Sequence, residues 1–159
     1  MISGDMQISD ILSPAAVRTM SQITSKKRLF QEIAEQARAI YGVDAVQTLD
    51  ALQERESLGP TGVGHGVALP HARIDGIERV RGIFIRLDRP LDYGSVDRAP
   101  VDLVFALFAP RDAGVEHLKA LALVSRTLRD AGVCTKLRQN EEPDKLFAIL
   151  TEHPDSKAA

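Results

Sequence analysis

VDLVFALFAP, residues 101–110, is apolar at Val101, Leu103, Val104, Phe105, Leu107 and Phe108. A strand that is wet on one face alternates apolar with polar residues, so a run this continuous predicts a central strand covered on both faces. Layers must then lie above and below the sheet. Upstream, RGIFIRLDRP, residues 81–90, sets Ile83, Ile85 and Leu87 against Phe84 and Arg86, which predicts a half-buried neighbouring strand.

Helical patterns surround this pair. Ser25 is placed to cap KKRLFQEIAEQARAIY, where Leu29, Ile33, Ala37 and Ile40 recur at helical spacing and Gly42 supplies the stop. Asp44 is placed to cap AVQTLDALQERES, with Val46, Leu49 and Leu52 as its apolar stripe and Arg55 in its last turn. Gly114 precedes VEHLKALALVSRTLRD, whose Leu118, Leu121, Ala122, Ser125 and Leu128 line one side, with His117 in its first turn. A short helix over VCTKLRQ and a longer one opened by Pro143 complete the pattern. Helices and strands in this order predict an α/β fold, a single-domain sandwich with a mixed β-sheet flanked by helices.

The chain has 159 residues, enough for one sizeable core, and no Ser/Gly/Pro-rich linker divides it. A single domain over 1–159 is expected, with its core from about residue 8 to 152, a short leader ahead of Ser25 and a polar tail over 153–159. Aromatic residues are only 4% of the chain, so aliphatic packing must fill the interior. Twenty basic against 22 acidic residues leave a formal charge of −2, which offers no global field for a nucleic-acid backbone. The cluster Arg73, Arg79, Arg81, Arg86 and Arg89 reads as an ordinary solvated face. No signal peptide or membrane span is visible, and a cytoplasmic protein is expected. The single cysteine, Cys134, reads as a small core residue.

The chemistry concentrates in RESLGPTGVGHGVALPH, residues 55–71. Four glycines and a proline between Gly59 and Gly66 predict a loop whose backbone N–H groups converge on an anion. Gly59 and Gly64 stand at P-loop spacing, yet His65 and Gly66 replace the lysine and hydroxyl residue that nucleotide binding needs. The dinucleotide fingerprint fails in its third glycine, and no G-x-S-x-G elbow exists. Pro70 stiffens the approach to His71. A neutral imidazole attacks phosphorus when its other nitrogen is held protonated by an acceptor, and a loose phosphoryl transition state then needs positioning and positive potential. Arg55 and the loop can supply that potential, and His117 can donate to a phosphoryl oxygen. A zinc site from His65, His71 and His117 is the rival arrangement, but no carboxylate is placed to orient such ligands. His65 reads as loop surface and His153 as part of the tail.

Arg55-Glu56, Leu58-Gly59, Thr61-Gly62, Gly64, Gly66, Ala68 and Pro70-His71 together resemble the phosphorylation-site signature of the phosphotransferase-system IIA components of fructose/mannitol type. Val115-Glu116-His117-Leu118 resembles the segment around their second active-site histidine, and the freestanding domain is most similar to the nitrogen-regulatory branch. The resemblance implies a phosphohistidine carrier charged on the tele nitrogen of His71 by an HPr-like protein. It also implies His117 and Arg55 as partners in the site, Thr61, Gly62, Val63 and Gly64 as the phosphate-binding loop, and no metal or organic cofactor. Regulated targets such as potassium transport or sensor proteins are implied with it. A sugar-uptake IIA component, or a protein-binding domain without phosphotransfer, is the alternative. His65 departs from the family pattern, and no role is carried over to it.

Overall fold

The central strand is β6, Val101–Pro110, and every residue from Leu103 to Ala109 is buried. The computed structural model describes residues 5–152; the polar tail with His153 lies outside them. In chain order the elements are α1 (Ile8–Ile11), a single 3-10 turn (Pro14–Ala16), β1 (Val17–Met20), α2 (Lys26–Tyr41), α3 (Ala45–Leu58), β2 (Gly62–Gly64), β3 (Val67–Ala68), β4 (His71–Ile74), β5 (Arg81–Leu91), β6, α4 (Val115–Arg129), α5 (Ala131–Arg138) and α6 (Pro143–Thr151). The six-stranded mixed sheet runs β1-β5-β6-β3-β2, and β4 also pairs with β6. Beta5 is antiparallel to β6, and β1 is parallel to β5. Helices α2 and α3 pack on β5 and β4, α4 on β6 and α6 on β1.

The expected sandwich is therefore present, with three local differences. The residues ahead of Ser25 are no mere leader. Val17–Met20 form an edge strand in register with Phe84–Leu87, and Ile8, Ile11 and Leu12 are buried in the core. Beta5 is covered on both faces at its centre, where Phe84 is as buried as Ile83 and Ile85. Arg86 leaves the sheet to donate from Nε to the Leu137 carbonyl at 3.0 Å and from Nη2 to that of Arg138 at 2.8 Å, satisfying the open end of α5. Lastly, α4 turns a different face inward from the one its leucines suggested. His117, Ala120, Leu123, Val124 and Leu128 are buried, while Leu118 is 66% exposed.

The local signals behave as capping physics requires. Ser25 Oγ accepts the Arg28 N–H at 3.0 Å, and Gly42 ends α2 at φ +74°. Asp44 caps α3 through the Gln47 N–H at 2.9 Å. Only Thr48 and Leu52 of α3 are buried, and Val46 of the expected stripe is 69% exposed. Cys134 is buried, as its reading as a core residue requires, with its thiol pushed up by that burial.

The segment expected as an irregular loop is mostly a hairpin, because β3 is already anchored on β6 and offers its free edge to Gly62–Gly64. His65 and Gly66, at φ +57° and +81°, make the two-residue turn. Behind Gly66 stands the Arg138–Asp102 pair, bonded at 2.8 Å through both Nε and Nη2. A β-carbon on Gly66 would collide with Arg138 Nη2 and approach Asp102 Oδ1 to 2.9 Å. Gly66→Ala is accordingly expected to destabilise the fold by roughly 2–4 kcal/mol, from positive-φ strain plus displacement of the ion pair. Chemical denaturation measures it; a loss below about 0.5 kcal/mol would show that the turn rearranges freely.

Candidate active site

Strands β3 and β4 lie in succession along one edge of β6, Val67–Ala68 against Leu103–Val104 and His71–Ile74 against Leu107–Pro110. The break between them is Leu69-Pro70. The Leu69 N–H still pairs with the Thr61 carbonyl at 2.9 Å, and the Pro70 carbonyl accepts the Leu107 N–H at 3.0 Å. The Leu69 carbonyl accepts from His71 Nδ1 at 2.8 Å. A carbonyl only accepts, so neutral His71 carries its proton on Nδ1 and its lone pair on Nε2. Arg55 Nε–H, from the last turn of α3, donates to that Nε2 at 3.2 Å, and Arg55 Nη1 donates to the Gly59 carbonyl at 2.9 Å.

His117 completes the group. Its ring lies edge-on to His71, with centroids 5.5 Å apart and planes at 73°. His117 is 6% exposed, and its Nε2 has no hydrogen-bond partner among the described residues. An unpaired buried ring nitrogen is unusual, because buried polar groups are nearly always hydrogen-bonded. Burial, with the neighbouring His71 and Arg73 charges, pushes His117 down to about 4. His71 is lowered mainly by burial and further by Arg55, while the Leu69 carbonyl and Glu56 oppose the shift. At neutral pH two uncharged imidazoles therefore face a site whose charge comes from arginine. Arg73, grouped by sequence with a solvated basic face, contributes to the potential at His117.

The structure thus brings together His71, His117 and Arg55, from β4, α4 and α3. The expected phosphate loop is placed differently. Thr61 is buried, its N–H donates to Glu56 Oε2 at 3.0 Å, and its hydroxyl donates to Glu56 Oε1 at 2.5 Å. The Gly59 and His65 N–H groups are taken by the Glu56 carbonyl and the Asp97 carboxylate. Gly62, Val63 and Gly64 belong to the hairpin, and Gly64 pairs with Val67, which is roughly 13 Å of extended chain from His71. Gly62 pairs with Ala68, and the segment is a strand arm rather than an irregular loop. A β-carbon on Gly62 would collide with Ser95, which accounts for glycine there without invoking an anion. His65 is exposed at the hairpin turn. Sequence reading missed Glu56 and Tyr93, whose hydroxyl meets Thr61 Oγ1 at 2.7 Å; the acid inside the signature was the one available signal.

The depressed His117 has a consequence for stability. An unfolded histidine titrates near 6.5, so between about pH 6.5 and 4 the unfolded chain binds a proton that the folded chain refuses. Stability from this group is complete above pH 6.5 and falls as the pH drops through that window. Thermal unfolding at pH 7 and pH 5 is expected to show a loss about 2 kcal/mol larger in the native protein than in His117→Leu. Equal losses in the two proteins would mean that His117 is not held neutral.

A proton-bearing Nδ1 fixed by a carbonyl, an Nε2 lone pair facing a guanidinium and a second neutral imidazole beside it form a histidine site suited to carrying a phosphoryl group. The chain belongs to the family described as phosphoenolpyruvate-dependent sugar phosphotransferase system, EIIA 2, whose model matches residues 10–153. It is 42% identical to the nitrogen regulatory protein of Bradyrhizobium diazoefficiens over 153 residues, 96% of this chain and 100% of that one. The crystal structure of nitrogen regulatory protein IIA-Ntr from Neisseria meningitidis superposes with a TM-score of 0.83 at 34% identity, covering 91% of this chain and 99% of that one. The IIA mannitol structure from Escherichia coli shares the fold, with a TM-score of 0.73 at 20% identity over 87% of this chain and 97% of that one. Among the described residues no helix is long and apolar enough to cross a membrane.

Proposed function

We propose that the chain is a phosphohistidine carrier of the nitrogen-regulatory kind, charged on His71 Nε2 by an HPr-like protein and acting on partner proteins through its phosphorylation state. The observation that carries this reading is the imidazole held between the Leu69 carbonyl and Arg55. In the transfer the Nε2–P bond forms as the donor's N–P bond breaks, while Nδ1 keeps its proton on Leu69. Arg55 Nε–H sits on the attacking lone pair at 3.2 Å, a long contact that yields to the incoming group and then neutralises its oxygens. His117, in the Nε2–H form, gains in a phosphoryl oxygen the acceptor it lacks. Leu58 beside the Arg55 turn and Val115 and Leu118 flanking His117 are each more than 60% exposed. Apolar residues around a polar centre suit docking of a protein donor better than a small sugar substrate. Incubation with phosphoenolpyruvate, an enzyme I homologue and an HPr-like carrier should add one phosphoryl group by intact mass. A chain that stays unmodified at full carrier phosphorylation would refute the proposal.

A further inference from the structure

Immediately after Arg55 in α3 comes a carboxylate that the transfer chemistry does not call for. The Glu56 side chain is only 9% exposed, yet both its oxygens are occupied. Oε2 accepts Lys26 Nζ at 2.9 Å and the Thr61 N–H at 3.0 Å, and Oε1 accepts the Thr61 hydroxyl at 2.5 Å. The Thr61 proton being spent on Glu56, the Tyr93 hydroxyl donates to Thr61 Oγ1 at 2.7 Å. Lys26 Nζ also lies 4.4 Å from the centre of the Tyr93 ring, so the ammonium is held by a charge and an aromatic face together. Three side chains, from the start of α2, the turn before β2 and the stretch after β5, thus close on the one buried carboxylate at the end of α3.

What they hold is the Gly59–Thr61 turn, and the turn in its turn holds Arg55. The Gly59 carbonyl takes Arg55 Nη1 at 2.9 Å, which leaves Nε directed at His71 Nε2. An arginine on an exposed helix end has several rotamers of similar energy, and a fixed carbonyl selects among them. We propose that Glu56 is a positioning residue for phosphoryl transfer: by clamping Thr61 it fixes the Gly59 carbonyl, and through it aims Arg55 at His71. Thr61, expected to bind phosphate, serves as the clamp's grip. Glutamine at position 56 has one acceptor oxygen and an NH2 that faces donors, so it cannot satisfy Thr61 and Lys26 together.

The proposal rests on the phosphocarrier reading, and the test separates the two. Phosphate uptake from the HPr-like donor is timed in the native protein, Glu56→Gln, Arg55→Ala and the double variant, and the Arg55 Nε–H resonance is followed in the first two by NMR. Uptake in Glu56→Gln is expected to slow 10- to 100-fold with the fold retained, and the same substitution should cost less than 3-fold in the Arg55→Ala background. Thr61→Ser, which keeps the hydroxyl, should stay near native, while Thr61→Val should slow as Glu56→Gln does. The Arg55 Nε–H should be protected from exchange in the native protein and lose that protection in Glu56→Gln. An equal slowing with and without Arg55, or an unchanged Arg55 resonance, overturns the positioning role. No uptake by the native protein overturns the phosphocarrier reading instead, and the resonance then decides alone whether Glu56 aims Arg55.

Discussion

His71→Ala is expected to accept no phosphoryl group under conditions where the native protein is fully modified. The imidazole is the only group in the site with both a lone pair facing the cation and its second nitrogen held protonated by a backbone carbonyl. His117 does not substitute for it, because it is buried within α4, and among the described residues its Nε2 has no hydrogen-bond partner to aim it. Loss of the ring should leave the sheet intact, since β4 is held to β6 through backbone pairing from His71 to Ile74. The native adduct should be acid-labile and base-stable, as expected of a phosphoramidate. Intact mass after incubation with the phosphorylated donor decides the matter, and a gain of one phosphoryl group in His71→Ala would move the nucleophile elsewhere.

Arg55→Ala is expected to fold and to take up phosphate about 10²- to 10³-fold more slowly, the range found when one preorganised donor is removed from a developing oxyanion. The structural loss is two hydrogen bonds, to the Gly59 carbonyl and to His71 Nε2, about 1 kcal/mol each on the usual scale. Lysine should restore only part of the rate, because a single ammonium cannot hold the Gly59 carbonyl and face Nε2 with the spacing of a planar fork. The guanidinium also helps keep His71 below its ordinary range, after burial. Its removal should therefore raise the His71 titration and move the acid limb of the uptake profile to higher pH. Rapid-quench measurement across pH 5–8 tests both effects; native rates with an unmoved profile would take Arg55 out of the site.

The caps at Ser25 and Asp44, the stop at Gly42 and the buried strand at 101–110 were legible because each is settled within a few residues of chain. His71, His117 and Arg55 were legible as candidates for phosphoryl chemistry because few residue types perform it. Other features depend on distant partners. Val17–Met20 becomes a strand only through pairing with β5, more than 60 residues away, and its four residues carry no pattern that announces this. The Gly62–Gly64 hairpin arm follows from an edge that β3 presents after docking on β6.

By itself, then, the sequence determined the long helices and the two long strands, the double-sided burial of the central strand and the residue kinds available for phosphoryl chemistry, all short-range consequences of periodicity, capping and side-chain pKa. Tertiary structure decided which face of α4 turned inward, and so carried His117 to within 5.5 Å of His71. It also decided that Thr61 grips a buried carboxylate 37 residues from Tyr93 in sequence, where composition alone suggested an open anion loop. The physical reason is the same in both cases: a helix face and a hydroxyl's partner are chosen by whichever surface packing brings against them, and that surface is built from distant parts of the chain.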